Sequence, residues 1–95
     1  MAELKIVWHT GAYRRYTSII SWYAMNCGAS FAKSFIEDID NKLSILTTMP
    51  AIGKNKKVIG NKHYAELVSH PKLIIRYWYN EKELHLIDLK PTEML

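Results

Sequence analysis

The sequence contains a single cysteine, Cys27, so no disulfide can form within the chain and no cluster of thiolate ligands can hold a metal. Long apolar runs are also missing, and none approaches the roughly 20 residues that a membrane-spanning helix requires. The opening residues lack a basic segment that leads into an apolar stretch of signal-peptide length. We therefore expect a cytoplasmic protein with no membrane partner, in which the lone thiol stays reduced.

The chain length allows one domain, residues 1–95. An apolar share of 48%, with eleven aromatic residues, is typical of a folded protein and argues against disorder. A chain of this size buries roughly two-thirds of the surface that it exposes when unfolded, so a single hydrophobic core can stabilise the fold without disulfide bonds. We expect a single globular domain.

The positive charge is unevenly distributed. The formal net charge is only +4, but residues 54–76 contain six basic residues and one acidic residue, Glu66. The basic residues are Lys54, Lys56, Lys57, Lys62, Lys72 and Arg76. Such a local field suits a polyanionic partner, either nucleic acid or an acidic protein. A solvated lysine-rich surface explains the same pattern equally well.

The first half of the chain has helical periodicity. Apolar residues from Ala12 to Tyr23 recur at helical spacing, and this first helix is expected to stop at Cys27-Gly28, because glycine readily adopts the conformation that closes a helix. Ser30 is expected to cap a second helix, which carries an apolar stripe and ends before Pro50. Two helices joined so closely are expected to form an antiparallel hairpin.

The rest of the chain reads as strands. A first strand, Leu4–Trp8, precedes the helices, and three or four strands follow them. Three are Tyr64–Val68, Leu73–Tyr79 and Leu84–Leu89, and Val58-Ile59 is a candidate for a brief fourth. The polar connection Asn80–Glu83 predicts a hairpin between the last two. Grouped helices and grouped strands predict an α+β fold, in which the helical hairpin packs on a mainly antiparallel sheet of about four strands.

Several motifs occur in a characteristic order along this pattern. They are I-I-S-W-Y at 19–23, F-x-x-x-I at 35–39, L-S-I-L-T-T-M-P-A-I-G at 43–53, H-Y-A-E-L-V at 63–68, L-I-I-R-Y-W-Y at 73–79 and L-H-L-I-D-L at 84–89. Together they resemble the RelE/ParE family of bacterial toxins, whose second helix habitually ends in L-x-x-x-P-x-x-G. The resemblance covers almost the whole chain and implies the α+β fold just described.

The resemblance also implies a function. Members of the family, which are also called plasmid stabilization proteins, are the toxin component of type II toxin–antitoxin modules. A cognate antitoxin neutralises each toxin. RelE-like members cut messenger RNA on the ribosome, whereas ParE-like members poison DNA gyrase. The expected partners are therefore an antitoxin and either DNA gyrase or the ribosome with its messenger RNA.

The motif residues depart from the RelE-type nuclease site. Ala65 stands where that site has an arginine, Glu66 places an acid in a strand that the nucleases make basic, and the chain ends T-E-M-L with no tyrosine. Lys90 stands near a family arginine. These departures favour ParE-like gyrase inhibition or an unassigned target.

Some residues remain as candidates for chemistry. Cleavage of RNA without a metal requires a base, an acid and cations that stabilise the charged phosphorane. His63, His70 and Arg76 are the catalytic candidates. Surface or strand-edge positions are the plainer interpretation of the two histidines, whereas Arg76 is equally well interpreted as a site cation or as an arginine whose stem covers the sheet. Candidate contacts to nucleic acid or to another target are Lys56, Lys57, Lys62, Lys72 and Lys90.

The remaining histidine and tryptophan patterns suggest no further chemistry. We expect no metal and no cofactor, because His63, His70 and Glu66 cannot all lie on one face of a strand. His9 is interpreted as a strand-end residue without a chemical role. Trp8, Trp22 and Trp78 are interpreted as packing residues of the core and the helix–sheet interface.

Three hypotheses of function follow. The first is a ParE-like toxin that acts through a binding surface. The second is a ribosome-dependent, metal-independent messenger-RNA endonuclease with a non-standard site. The third is a non-toxic structural or interaction relative of the fold.

Overall fold

A computed structural model describes residues 3–69 and 73–91. The elements run in the order β1 (Lys5–Trp8), α1 (Thr10–Cys27), α2 (Ala29–Thr48), a 3-10 turn (Pro50–Ile52), β2 (Lys54–Ile59), β3 (Lys62–Ser69), β4 (Leu73–Tyr79) and β5 (Glu83–Pro91). The predicted α+β class is confirmed, with two helices on a mainly antiparallel sheet.

The sheet has five strands where about four were predicted. Its order is β1-β5-β4-β3-β2, and β1 is the one strand that runs parallel to its neighbour among the described residues. In β1, Ile6 pairs with Leu84 and Trp8 with Leu86. The sequence pattern shows that β1 is extended but not which strand it pairs with, because its partner follows both helices and three other strands.

The two helices meet at a single residue, Gly28, whose φ of 96° lies in the left-handed region. α1 therefore ends at Cys27, as predicted. The prediction of Ser30 as a helix cap is wrong, because Gly28 lets the chain reverse at once and α2 begins at Ala29 without a side-chain cap. The helices are antiparallel, since Tyr23 contacts Phe31 and Tyr16 contacts Phe35.

The core lies between this helical hairpin and one face of the sheet, which we call the inner face. Its largest fully buried side chains come from α2 and from the two strands β4 and β5, and include Phe35, Ile39, Leu46, Ile75, Tyr77, Leu84, Leu86 and Leu89. Burying each such side chain stabilises the fold by about 1.5–3 kcal/mol. Because side chains alternate along a strand, the intervening residues form the opposite, outer face of the sheet.

Predicted and observed strand bounds agree best in the interior of the sheet, where a strand is paired along both edges. β4 has the predicted bounds, whereas β2 spans six residues in place of the predicted two. All six residues of β2 are exposed at the sheet edge, so no burial pattern marks them in the sequence. The predicted hairpin at 80–83 is confirmed, and the side chain of Asn80 accepts hydrogen bonds there from the backbone N–H groups of Lys82 and Glu83.

Candidate functional site

The outer face carries charged and aromatic residues in two rows across the strands. In the first row, Glu66 of β3 pairs with Arg76 of β4, which pairs with Asp88 of β5. In the second row the paired residues, from β2 to β5, are Lys57, Tyr64, Trp78 and His85. Residues distant in sequence therefore form one continuous surface.

A three-residue charge cluster occupies the first row. One carboxylate oxygen of Glu66, Oε2, accepts a hydrogen bond from Nε of Arg76 at 2.9 Å, and the other, Oε1, lies 3.3 Å from Nζ of Lys56. Burial by itself raises the pKa of Glu66, but the hydrogen bonds and charges of Lys56 and Arg76 outweigh it, so this pKa lies below the ordinary glutamate value. Glu66 thus neutralises part of the basic face at its centre.

Lysines cover the aromatic rings of the second row. Nζ of Lys57 lies 5.2 Å from the ring centroid of Tyr64, and Nζ of Lys62 lies 4.7 Å from that of Trp78, which are cation–π distances. The Trp78 ring also stacks on His85, with 3.7 Å between centroids and 10° between planes. Trp78 is therefore a buried packing residue, as predicted, but it packs on the outer face and not against the helices.

A hydrogen-bonded chain of side chains runs beside this stack. Nε2 of His85 lies 3.1 Å from Oε1 of Glu83, and Nδ1 of His85 lies 3.0 Å from Nε2 of His9. An ionised carboxylate only accepts, so neutral His85 donates from Nε2 and its Nδ1 accepts from His9. Sequence reasoning gave His85 no role, and its position two residues after Glu83 on the same strand was the available signal.

The structure separates two of the catalytic candidates. His63 lies on the inner side of β3, where its ring stacks on Tyr79 with 5.0 Å between centroids. Arg76 points to the outer face, as its ion pair with Glu66 shows. His70, the third catalytic candidate, lies outside the described residues. The structure therefore does not bring His63 and Arg76 together.

The candidate binding lysines share one surface where they can be located. Lys56, Lys57 and Lys62 lie on the outer face, as the partners Glu66, Tyr64 and Trp78 show. Lys90 is exposed near the end of β5, opposite Ile74. Lys72 lies outside the described residues. Within residues 3–69 and 73–91, no group of three histidine, cysteine, aspartate or glutamate side chains is arranged to hold a metal.

Comparison with known proteins identifies the family. A family model described as the ParE toxin of the type II toxin–antitoxin system parDE matches residues 6–95. The chain belongs to the ParE toxin family. The predicted RelE/ParE membership is thereby confirmed on its ParE side, and this ParE-family chain is a type II toxin, for which a cognate antitoxin is the implied partner.

Two further comparisons concern the fold and the curated relatives. A solved structure described as a chromosomal ParDE toxin–antitoxin system from P. aeruginosa superposes with a TM-score of 0.74 and 15% sequence identity, covering 96% of this chain and 98% of that one. At that identity the likeness shows the fold. No curated protein sequence matches the chain. Across the described part of the ParE-family chain, neither helix is long and apolar enough to cross a membrane.

Proposed function

We propose that this ParE-family toxin acts in the cytoplasm by inhibiting DNA gyrase through the basic outer face of its sheet, and that its cognate antitoxin neutralises it. The observation that carries this proposal is the charge cluster, in which Glu66 holds both Lys56 and Arg76. Cations engaged in this way are poorly placed to stabilise a phosphorane. A binding surface without catalysis agrees with the ParE side of the family resemblance.

The proposed contact residues are the cations of the outer face that have no acidic partner among the described ion pairs. Lys57 and Lys62 lie over aromatic rings, and Lys90 is exposed. A lysine over a ring can leave it for a carboxylate or phosphate of a partner at a cost of about 0.5–1 kcal/mol. Lys72, which is outside the described residues, remains a candidate from its sequence position.

One observation favours the messenger-RNA endonuclease as a second candidate function. The chain from Glu83 through His85 to His9 ends at an exposed imidazole, and a carboxylate that orients a histidine is a recurrent arrangement for general bases. The catalytic candidates His63 and Arg76 do not supply this arrangement, because they lie on opposite faces of the sheet. Any such cleavage would be metal-independent.

The deciding experiment induces the protein in cells with and without the adjacent antitoxin gene. We expect growth arrest with gyrase-dependent DNA breaks and intact messenger RNA, and we expect the antitoxin to relieve both effects. Cleaved transcripts without DNA breaks would replace the proposal with the endonuclease. Unaffected growth at high expression would favour the non-toxic relative.

A pair of charge variants locates the surface. Replacing Lys57 and Lys62 together by alanine is expected to weaken inhibition of purified gyrase by about tenfold or more, because contacts between opposite charges across an interface are lost. Arg14 on α1 and Lys33 on α2, both exposed on the helices, provide the matched control with the same loss of charge. Equal effects of the two double variants would show that net charge, and not this face, governs inhibition.

A further inference from the structure

A carboxylate of the chain itself lies at the centre of the outer face. Glu66 projects from β3 between Lys56 of β2 and Arg76 of β4, and each of its carboxylate oxygens contacts one of these two cations. A pair of phosphate oxygens bridging a lysine and an arginine on the two strands that flank β3 would make the same contacts. The position that a phosphodiester would occupy is thus filled by a residue of the chain.

The second acid near Arg76 does not share this role. Asp88 is the strand partner of Arg76 on β5, but its Oδ1 accepts the backbone N–H of Leu89 at 2.9 Å and lies 3.7 Å from Nε of Arg15 on α1. Among the described ion pairs, the acidic partner of Arg76 is therefore Glu66. Removing one carboxylate would release both Lys56 and Arg76.

We infer that Glu66 determines which class of partner the outer face accepts, by occupying the phosphate position between Lys56 and Arg76 and so excluding nucleic acid from the centre of the face. The remaining lysines then lie around a locally neutralised centre, a pattern that suits the scattered acidic groups of a protein better than the continuous charge of a nucleic acid backbone. This inference rests on the proposed function only in taking the outer face as the contact surface.

The charges of the cluster give the expected effect its direction. Lys56, Arg76 and ionised Glu66 carry a net charge of about +1, and Glu66→Gln raises it to about +2 without a change of side-chain shape. The side chains of Lys56 and Arg76 are 44% and 42% exposed, so a ligand can reach both. If Glu66 excludes phosphate by its charge and not by its size, the neutral isostere Glu66→Gln should let phosphate bind.

The experiment measures binding of a fluorescein-labelled oligothymidylate to the whole chain by anisotropy at low salt. Glu66→Gln is expected to lower Kd by about tenfold. It should also steepen the dependence of log Kd on log salt by roughly the amount that one additional phosphate contact contributes. Glu81→Gln removes the same charge from the exposed β4–β5 turn and is expected to change Kd by less than about twofold. Circular dichroism checks that both variants are folded, and Glu66→Ala serves as a second test.

Arg76 decides whether the gain arises at this site. Adding Arg76→Gln to Glu66→Gln is expected to return Kd to within about twofold of the wild-type value. Equal Kd values for Glu66→Gln and Glu81→Gln would overturn the inference, as would tight binding by the wild-type chain. A gain with Glu66→Gln in a chain that leaves gyrase unaffected would overturn the proposed function and retain the role of Glu66.

Discussion

The hydroxyl of Tyr77 donates a 2.6 Å hydrogen bond to the backbone carbonyl of Pro50, joining the central strand β4 to the turn that follows α2. Burial is the main reason that the pKa of Tyr77 is raised to about 12, and Tyr79 adds to the rise while a hydrogen bond with the backbone of Gly53 opposes it. Tyr77 therefore remains a neutral donor throughout the physiological pH range. This contact gives the Pro50–Gly53 part of the family motif a physical role.

Replacing Tyr77 by phenylalanine is expected to lower the free energy of unfolding by about 1–3 kcal/mol, because the part-buried carbonyl of Pro50 loses its donor while the ring still fills the core. Urea denaturation measures the change. Tyr13→Phe, at a side chain that is 53% exposed, is the control and should be nearly neutral. A loss for Tyr77→Phe no larger than that of the control would contradict a stabilising role for this bond.

Replacing Gly53 by alanine is expected to destabilise the fold by about 1–3 kcal/mol through overpacking. A Cβ at position 53 would collide with the Tyr77 hydroxyl and lie 2.8 Å from the backbone carbonyl of Glu66. Gly11 in α1 has open space around it, so Gly11→Ala should leave stability unchanged or raise it by up to about 1 kcal/mol. Thermal unfolding of both variants tests the contrast, and similar melting temperatures would refute it.

The stability contributed by Glu66 should depend on pH. Folding lowers the pKa of Glu66 from its ordinary value of 4.5, so the folded chain holds fewer protons at this carboxyl than the unfolded chain does. The stability that Glu66 contributes is therefore fully present above pH 4.5. It is lost as the pH falls through the folded-state pKa, below that value. Unfolding free energies of the wild type and Glu66→Gln should therefore differ near neutral pH and converge in acid. A difference that persists unchanged in acid would contradict the ion-pair explanation.

The hydrogen-bonded chain predicts a tautomer. Because Oε1 of Glu83 accepts from His85, neutral His85 should carry its proton on Nε2, which ¹⁵N chemical shifts of the imidazole nitrogens report. In Glu83→Gln the neighbouring amide can donate as well as accept, so the Nδ1-protonated form of His85 should become more populated. Finding wild-type His85 protonated on Nδ1 would exclude the proposed direction of the chain from Glu83 to His9.

Local structure was predictable where the signal lies within a few residues. The end of α1 at Cys27 followed from the conformational freedom of Gly28, and the bounds of β4 followed from a run of β-branched and aromatic residues. Ser30 was misassigned because a cap motif is only a local preference, which the one-residue connection at Gly28 overrides. β2 was predicted too short because an exposed edge strand is held by backbone pairing, which leaves no periodicity in its side chains.

The candidate site was less predictable for the same physical reason. Composition showed a basic stretch, and the family motifs identified a toxin, but neither shows which side of the sheet a residue occupies. His63 and Arg76 lie on opposite faces because of strand register. His9 and His85 are 76 positions apart in the sequence. They meet because β1, which precedes both helices, pairs with β5, the last strand.

The sequence by itself determined the order of helices and strands, the family and the excess of positive charge, since each depends on composition, short-range periodicity or motif order. Only the tertiary structure decided that Glu66 lies between Lys56 and Arg76 and that lysines cover the outer aromatic rings. Such contacts depend on the register between strands, which long-range packing of the core selects. Charge is encoded along the chain, but its neutralisation is a property of the folded sheet.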